Sequence, residues 1–457
     1  MSIQSLQERI SGTVLHRRDP DYERARRAPG WNEIKPARYP DLIVQVASED
    51  DVIETVNFAR EQHMKIGIRG GGHNWCAAAL QEGGILLDLS RLNQVEIDPE
   101  ARVATAEPVV TNRYLARQLA GHGLAFPVGH CPCVPLSGFI LNGGLGWNAG
   151  EWGISCFSLL SVDVVTADGN LVTASETENT ELLWAARGAG PGFFGVATKY
   201  RVRLYPLPKA ITTSTLMYPL GKLPEVVEWA TETVNTLPSN VEFTLFLASA
   251  PPSVADRYEK VCILSATAFA DSDEEATEAL SALATCPLED CVMKDLHAST
   301  PFEVLFDNAD RFWPEGKRYA VDTMWSTSPP LEVLTIVQDQ FATAPSVHSM
   351  ILCPILPSLT DAPPLPDAAF SMVAPGYMAG YSIWEEAGQD QANIEWLRTL
   401  MVALEPQAVG CYVGESDIAA NPSQVANSYA SSNWERLQAL RKKYDPNGIF
   451  HSYMGVQ

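Results

Sequence analysis

Arg69-Gly70-Gly71-Gly72-His73-Asn74-Trp75 is the stretch whose reading decides the fold, together with a second glycine-rich run, Gly129-His130-Cys131-Pro132-Cys133 through Gly146. Neither run has the side-chain bulk to build a core. Glycine at this density means backbone in close approach to something, or backbone held at positive φ. Each run also carries a potential nucleophile, His73 in the first and Cys131 in the second. Together they read as two loops wrapped around one large anionic cofactor, with both side chains bonded to it.

The surroundings of the first run suit a binding loop. Leu42-Ile43-Val44-Gln45-Val46 is β-rich, and Ser48 stands three residues before Asp51 as a cap for a helix with Val52, Val56 and Ala59 on one face. Met64-Lys65-Ile66-Gly67-Ile68 is the next strand and delivers the glycines at its end, where ligand loops commonly sit. The run has no lysine, so it is not a Walker P-loop, and it opens no recognisable Rossmann helix. Its backbone N–H groups can still form a nest for a pyrophosphate. The bland alternative is a glycine turn with a satisfied histidine. Cys131 likewise reads either as a reactive thiol or as an inert buried one. His130 beside it would lower the thiol pKa if charged, or would simply be a wall residue.

With 457 residues, 46% of them apolar and 19% charged, the chain has the make-up of a folded globular protein of two or three domains. A net charge of −23 argues against a nucleic-acid partner, which is held by Lys and Arg on phosphates. The N-terminus lacks a secretory pattern and no apolar run approaches membrane-spanning length, so a cytoplasmic protein with no membrane partner is expected. The nine cysteines are odd in number and scattered, which fits reduced thiols. Cys131 and Cys133 are spaced too tightly for a typical zinc pair and no second pair accompanies them, so no metal is expected.

Further along, Ile85 to Leu89, Val95 to Ile97 and Arg102 to Ala106 read as short strands, and a helix is expected from about Asn112 to His122. Ser161 to Val172 reads as a hairpin turning at Asp168-Gly169. Leu182 to Arg187 looks helical, and Val196 to Leu204 alternates as a half-solvated strand. The composition breaks at Pro206-Leu207-Pro208. Beyond it, alternating segments (241–248, 261–268, 319–325, 378–384) interleave with helical ones (224–236, 273–285, 331–342, 390–404), which predicts an antiparallel sheet backed by helices, an α+β domain. Aromatics cluster at Trp313, Tyr319, Trp325, Tyr377, Tyr381, Trp384 and Tyr412, a pattern of core or of a pocket for an apolar or sugar-like ligand.

Six motifs in order carry a resemblance: Arg69 to His73, Gly129 to Val134, Asp163 to Gly169, Trp184 to Thr198, Tyr412 to Gly414 and Tyr444 to Phe450. They resemble the berberine bridge enzyme-like flavoproteins of the vanillyl-alcohol-oxidase superfamily, from about residue 36 to the end. The resemblance implies an α+β fold with a two-part FAD-binding domain of the PCMH type, formed by residues 1–206 and a C-terminal segment, 406–457. A substrate domain, 207–405, would roof the pocket. It implies FAD linked covalently through His73 and, as in bicovalent relatives, through Cys131. Relatives that keep only the histidine bond leave a monocovalent linkage open. Cys133 falls where the family often has threonine.

Carried over motif by motif, the cofactor contacts are Arg69, Gly70, Gly71, Gly72, His73, Asn74, Cys131, Val134, Pro135, Ser137, Gly138, Asn142, Gly143, Gly144, Gly146, Trp152, Gly153, Val196, Asn447, Phe450 and Tyr453. The activity implied is oxidation of an alcohol or amine carbon in a small natural product or sugar-like substrate, with molecular oxygen as acceptor and hydrogen peroxide released. A dehydrogenase using another acceptor and a non-catalytic flavin binder are the alternatives. A tyrosinate-like base is expected, Tyr412 first and Tyr381 second, with its pKa brought down from about 10, while His130 polarises the substrate. Pro135 and Asn142 replace glycines common in the family, Gly414 replaces the asparagine of a Y-x-N strand, and the stretch Cys353 to Pro366 offers no clear carboxylate or tyrosine base.

Overall fold

The computed structural model describes residues 3–28, 31–355 and 364–453. Most of the stretch scanned for a base near Pro366, residues 356–363, lies outside them.

The first glycine run hangs from a four-stranded sheet. Leu42–Gln45, Ile85–Asp88 and Ile66–Arg69 lie side by side in parallel, and Thr13–His16 adds an antiparallel edge. Between the first two of these in sequence runs the helix Glu49–Gln62. Ser48 is extended and its Oγ accepts the Asp51 N–H at 3.3 Å, while three acidic residues in the first turn complement the helix dipole. Val52, Val56, Phe58 and Ala59 are buried against the sheet. Ile66–Arg69 is at one edge, but its outer side is not left open. Ile66 donates to Ile449 O at 2.7 Å and accepts from His451 N at 2.8 Å, so the C-terminal segment closes the sheet beside the glycine run.

A second, antiparallel sheet orders Val95–Asp98, Val103–Ala106, Val196–Arg203, Leu159–Val165 and Leu171–Ser175. The last two form the expected hairpin, with Gly169 at φ +82° in its turn. The helix Asn112–Ala120 holds the second glycine run by its first residues. The Asn112 side-chain amide donates to Cys131 O at 2.9 Å, and the N–H groups of Asn112 and Arg113 bond Val134 O and Pro132 O.

The remaining strands build one antiparallel sheet of eight. In space they run Met293–Ser299, Ala210–Pro219, Lys260–Ala270, Val241–Ser249, Met350–Pro354, Gly376–Trp384, Arg318–Ser326 and Ala408–Gly410. Side chains alternate between its faces. Along Gly376–Trp384, Met378 packs towards the helices, and a Cβ on Gly380 would lie 2.8 Å from Leu397 of the helix Asp390–Leu404. Tyr377, Ala379, Tyr381 and Ile383 face the other way, towards the glycine loops. Helices Leu223–Val234, Pro330–Phe341 and Asp390–Leu404 cover the outer face.

Three strands of this sheet, 210–219, 293–299 and 350–354, and the helix Phe302–Phe312 were not anticipated, and the helix expected over 273–285 is two pieces meeting at Leu280. The sheet also takes its last strand from residues 408–410, beyond the 405 boundary, because Trp325 and Ser326 offer it an open edge.

Candidate active site

A cavity of about 800 Å³ lies between the glycine loops and the inner face of the large sheet. Its first wall is mostly backbone. A Cβ on Gly70 would stand 2.5 Å from Ser137 Oγ, and one on Gly71 would stand 2.4 Å from Pro135 Cγ, so the two runs are pressed together and only glycine fits at the seam. At this seam the His73 ring nitrogen and the sulfurs of Cys131 and Cys133 all come within 4.8 Å of one another. The two sulfurs are 3.6 Å apart. The Cys131 thiol, and next the His73 imidazole, pull the Cys133 pKa down to about 5, while that hydrogen bond and burial push Cys131 up. None of the nine cysteines is in a disulfide. His73 also gives the two cysteines a third potential metal ligand, one that the spacing of the thiols alone did not suggest because it comes from a distant loop.

Of the expected cofactor contacts, Arg69, Gly70, Gly71, Gly72, His73, Asn74, Cys131, Val134, Pro135, Ser137, Gly138 and Asn142 line the cavity. Arg69 is not free to act as an anion receptor, since it is buried in an ion pair with Asp88 at 2.9 Å. The other expected contacts do not line it. A Cβ on Gly143 would strike the Phe370 ring, one on Gly144 would strike Ser155 and Phe139, and one on Gly146 would strike Pro127 O, so these glycines serve chain packing. Trp152 stacks on Tyr205 with Gly153 ending its short helix, and Val196 points into the core under the first sheet. Asn447 is exposed, Phe450 is buried, and the Tyr453 hydroxyl bonds Tyr429 at 3.0 Å. Between Phe450 and Tyr453, His451 and Ser452 reach the cavity instead.

The wall fits a polar cofactor. His451 Nε2, Asn142 Oδ1 and the Tyr200 hydroxyl are buried on cavity-lining residues with no hydrogen-bond partner among the described residues. Burial, with Lys65 and Arg441 nearby, holds the His451 pKa down at about 4, so its imidazole is neutral.

The opposite wall is made of side chains. Tyr377 and Tyr381, four residues apart on one strand and on the same face, donate their hydroxyls to the two oxygens of Glu415, each at 3.1 Å. Glu415 lies deep in the molecule, and its remaining accessible surface faces the cavity. Burial raises its pKa, and the two phenols and His130 hold it back. His130 Nε2 is 2.6 Å from Glu242 Oε1, whose other oxygen accepts from Asn148 N at 3.3 Å. Burial opposes the imidazolium, but the charges of Glu242 and Glu415 outweigh it and raise the His130 pKa. Trp147, Phe246 and Trp313 complete an aromatic lining.

The expected tyrosinate base finds no support in these surroundings. Burial and the Glu415 charge push the Tyr381 and Tyr412 phenols up rather than down, and the Gly144 N–H donated to Tyr412 at 3.3 Å does not reverse it. Both tyrosines and His130 do line the cavity. Glu415 and Glu242 were missed. Glu415 stands three residues after Tyr412, where the tail motif could have drawn attention to it, but nothing in the sequence ties it to Tyr377 and Tyr381.

Tyr412 to Gly414 is not a strand but a turn after Ala408–Gly410. The two departures in this region meet in space. A Cβ on Gly414 would lie 3.1 Å from the Cβ of Asn142. An asparagine side chain is thus present beside this point, supplied from residue 142 rather than 414.

Residues 40–175 match the FAD binding domain family, and residues 411–457 match the family described as berberine and berberine like. The FAD-linked oxidoreductase penO of Penicillium crustosum is 30% identical over 435 residues, 95% of this chain and 94% of that protein. The structure of 6-hydroxy-D-nicotine oxidase from Arthrobacter nicotinovorans superposes with a TM-score of 0.83 at 23% identity, covering 97% of each chain. That of Physcomitrella patens BBE-like 1 gives 0.84 at 17% identity over 100% of each chain. Both structures share the fold.

Proposed function

Because this chain belongs to the berberine-bridge-like FAD-linked oxidoreductases, we propose that it oxidises an alcohol or amine carbon of a small, largely apolar molecule, with FAD bonded to His73 and Cys131 and oxygen as the final acceptor. The observation that carries the reading is the meeting of an imidazole and two cysteine sulfurs at a seam of glycine backbone, across one cavity from a buried carboxylate held by two phenols. Nucleophiles of these two types are what addition to an electron-poor ring requires.

FAD supplies the hydride acceptor. The chain supplies the rest. Gly70 to Asn74 and Val134 to Asn142 hold the cofactor by backbone and by the unpartnered Asn142 and His451 polar atoms. Trp147, Phe246 and Trp313 shape an apolar substrate space and exclude water from it. His130, whose charged form Glu242 favours, lines the cavity beside Trp147 and polarises the substrate by its charge. One relative is (R)-6-hydroxynicotine oxidase of Paenarthrobacter nicotinovorans, 36% identical over 200 residues, and a flat heteroaromatic amine or alcohol suits this aromatic lining. Among the described residues no helix is long and apolar enough to cross a membrane.

The test is a denaturing gel viewed under ultraviolet light, with intact mass, for wild type, His73→Ala and Cys131→Ala. Flavin mass retained in both single variants and lost in the double variant is expected. Flavin that washes out of His73→Ala alone makes the linkage monocovalent. A wild type without flavin ends the reading. A panel of aromatic primary alcohols and amines, scored for peroxide against turnover with an artificial acceptor, separates oxidase from dehydrogenase.

A further inference from the structure

We propose that Glu415 is the final acceptor of the proton that leaves the substrate heteroatom, reached through the hydroxyl of Tyr381. The proposal rests on the oxidoreductase reading above and adds the proton path to it.

Three observations carry it. Tyr381 lines the cavity and donates to Glu415 Oε1 at 3.1 Å, so its oxygen keeps lone pairs for a donor in the cavity. Tyr381 stands at the cofactor end of the cavity, since the Cys131 sulfur is near enough to act on its ionisation and its ring packs 5.9 Å from that of Trp75, two residues beyond His73. Glu415 is the one cavity-lining carboxylate among the described residues that no basic side chain neutralises directly, because Glu242 is taken by His130 and both Glu415 oxygens are held by phenols. A carboxylate so placed is able to take up a proton, and the cavity is where one is released.

The step balances. The substrate C–H bond breaks with its electron pair going to the hydride acceptor. The heteroatom's proton moves to Tyr381 Oη as the phenol's own proton moves to Glu415, and the carbon–heteroatom double bond forms. Tyr381 is a neutral phenol before and after, so its raised pKa is no obstacle, and Glu415 ends as a carboxylic acid. The groups facing Glu415 are Tyr377 and Tyr381 from the large sheet, Tyr412 from its own segment, and His130 with its partner Glu242 from the second glycine run and the sheet. Burial lifts the carboxyl above its ordinary range near about 4.3, which places a base closer to neutrality.

The experiment is anaerobic stopped-flow bleaching of the flavin across pH, with whichever member of the alcohol and amine panel reduces the wild type. Glu415→Gln, an isostere, is expected to lower the limiting rate by two orders of magnitude or more, to leave half-saturation within a few-fold, and to abolish the acid limb. Glu415→Asp should recover part of the rate, and Tyr381→Phe should lose at least tenfold. A second readout needs no turnover. Holoenzyme carrying 3-fluorotyrosine should show a fluorine signal at Tyr381, assigned by Tyr381→Phe, that shifts in one step with pH, a step absent in Glu415→Gln. If Glu415→Gln keeps both the rate and the limb, or if the fluorine step survives in it, the proposal is wrong and the oxidoreductase reading stands. If no panel member bleaches the wild type, the functional reading fails first.

Discussion

The two walls of the cavity are built on opposite plans. The cofactor wall is backbone: loop glycines at the ends of four-residue strands, fixed by what their missing side chains permit. The substrate wall is side chain, displayed on strands of nine to eleven residues whose rigidity comes from their ladders. A backbone wall is specified residue by residue, so one added methyl damages it. A side-chain wall on a wide sheet is specified by register, so residues can change there while the platform survives. On the proposed function, that division fixes the cofactor side and lets the substrate side vary.

The largest effect that sharpens this contrast is expected at Asp88→Ala. It leaves the buried Arg69 guanidinium, at the root of the glycine run, without its carboxylate. Breaking such a pair costs about 3–5 kcal/mol, read as a lowered urea midpoint together with loss of bound flavin. An unchanged midpoint would show that the cofactor wall does not depend on its ion pair. Next comes Gly71→Ala. The Cβ would overlap the Pro135 ring, which cannot swing aside, and about 1–3 kcal/mol of overpacking is expected. Thermal melting measures it, and a methyl tolerated at 71 would mean the seam is looser than drawn.

A subtler test concerns Asn142 and Gly414. Gly414→Asn alone should crowd Tyr412 and Asn142, and Asn142→Gly alone should remove an amide facing the cavity. Combined, they should recover flavin retention, with a coupling of about 0.5–3 kcal/mol in a double-mutant cycle. Additive losses would mean that the two positions do not share one place.

The smallest effect is a slope. Because the His130 pKa is raised in the folded protein, its contribution is fully present below the unfolded value of about 6.5 and fades as pH rises through the folded one. Glu242→Gln removes the nearest charge that raises it. The melting temperature of that variant should therefore fall less steeply above neutral pH than that of wild type. Identical slopes would detach His130 from Glu242.

The same contrast explains what could be read in advance. Glycine runs, a capped helix at Ser48 and an alternating strand through Tyr381 are local patterns, and the structure has them where the sequence put them. Glu415 meets Tyr377 and Tyr381 across 38 and 34 residues of chain, and no spacing rule reaches that far. The strand Met293–Ser299 was missed because it is an edge strand with exposed and half-buried positions in no clean alternation. Phe450 and Tyr453 were expected at the cofactor while their neighbours His451 and Ser452 line the cavity, because a segment without regular structure gives no period by which to tell inward from outward.

The pairing of Ile66 with Ile449 and His451 has a consequence for biosynthesis. The strand that presents His73 is bordered by chain made far later, and two cavity-lining residues, His451 and Ser452, come with it. While the nascent chain still ends short of Ile449, that edge is bare and the cavity lacks one side. The cavity is therefore complete only once residues 449–452 have been made and have paired with Ile66.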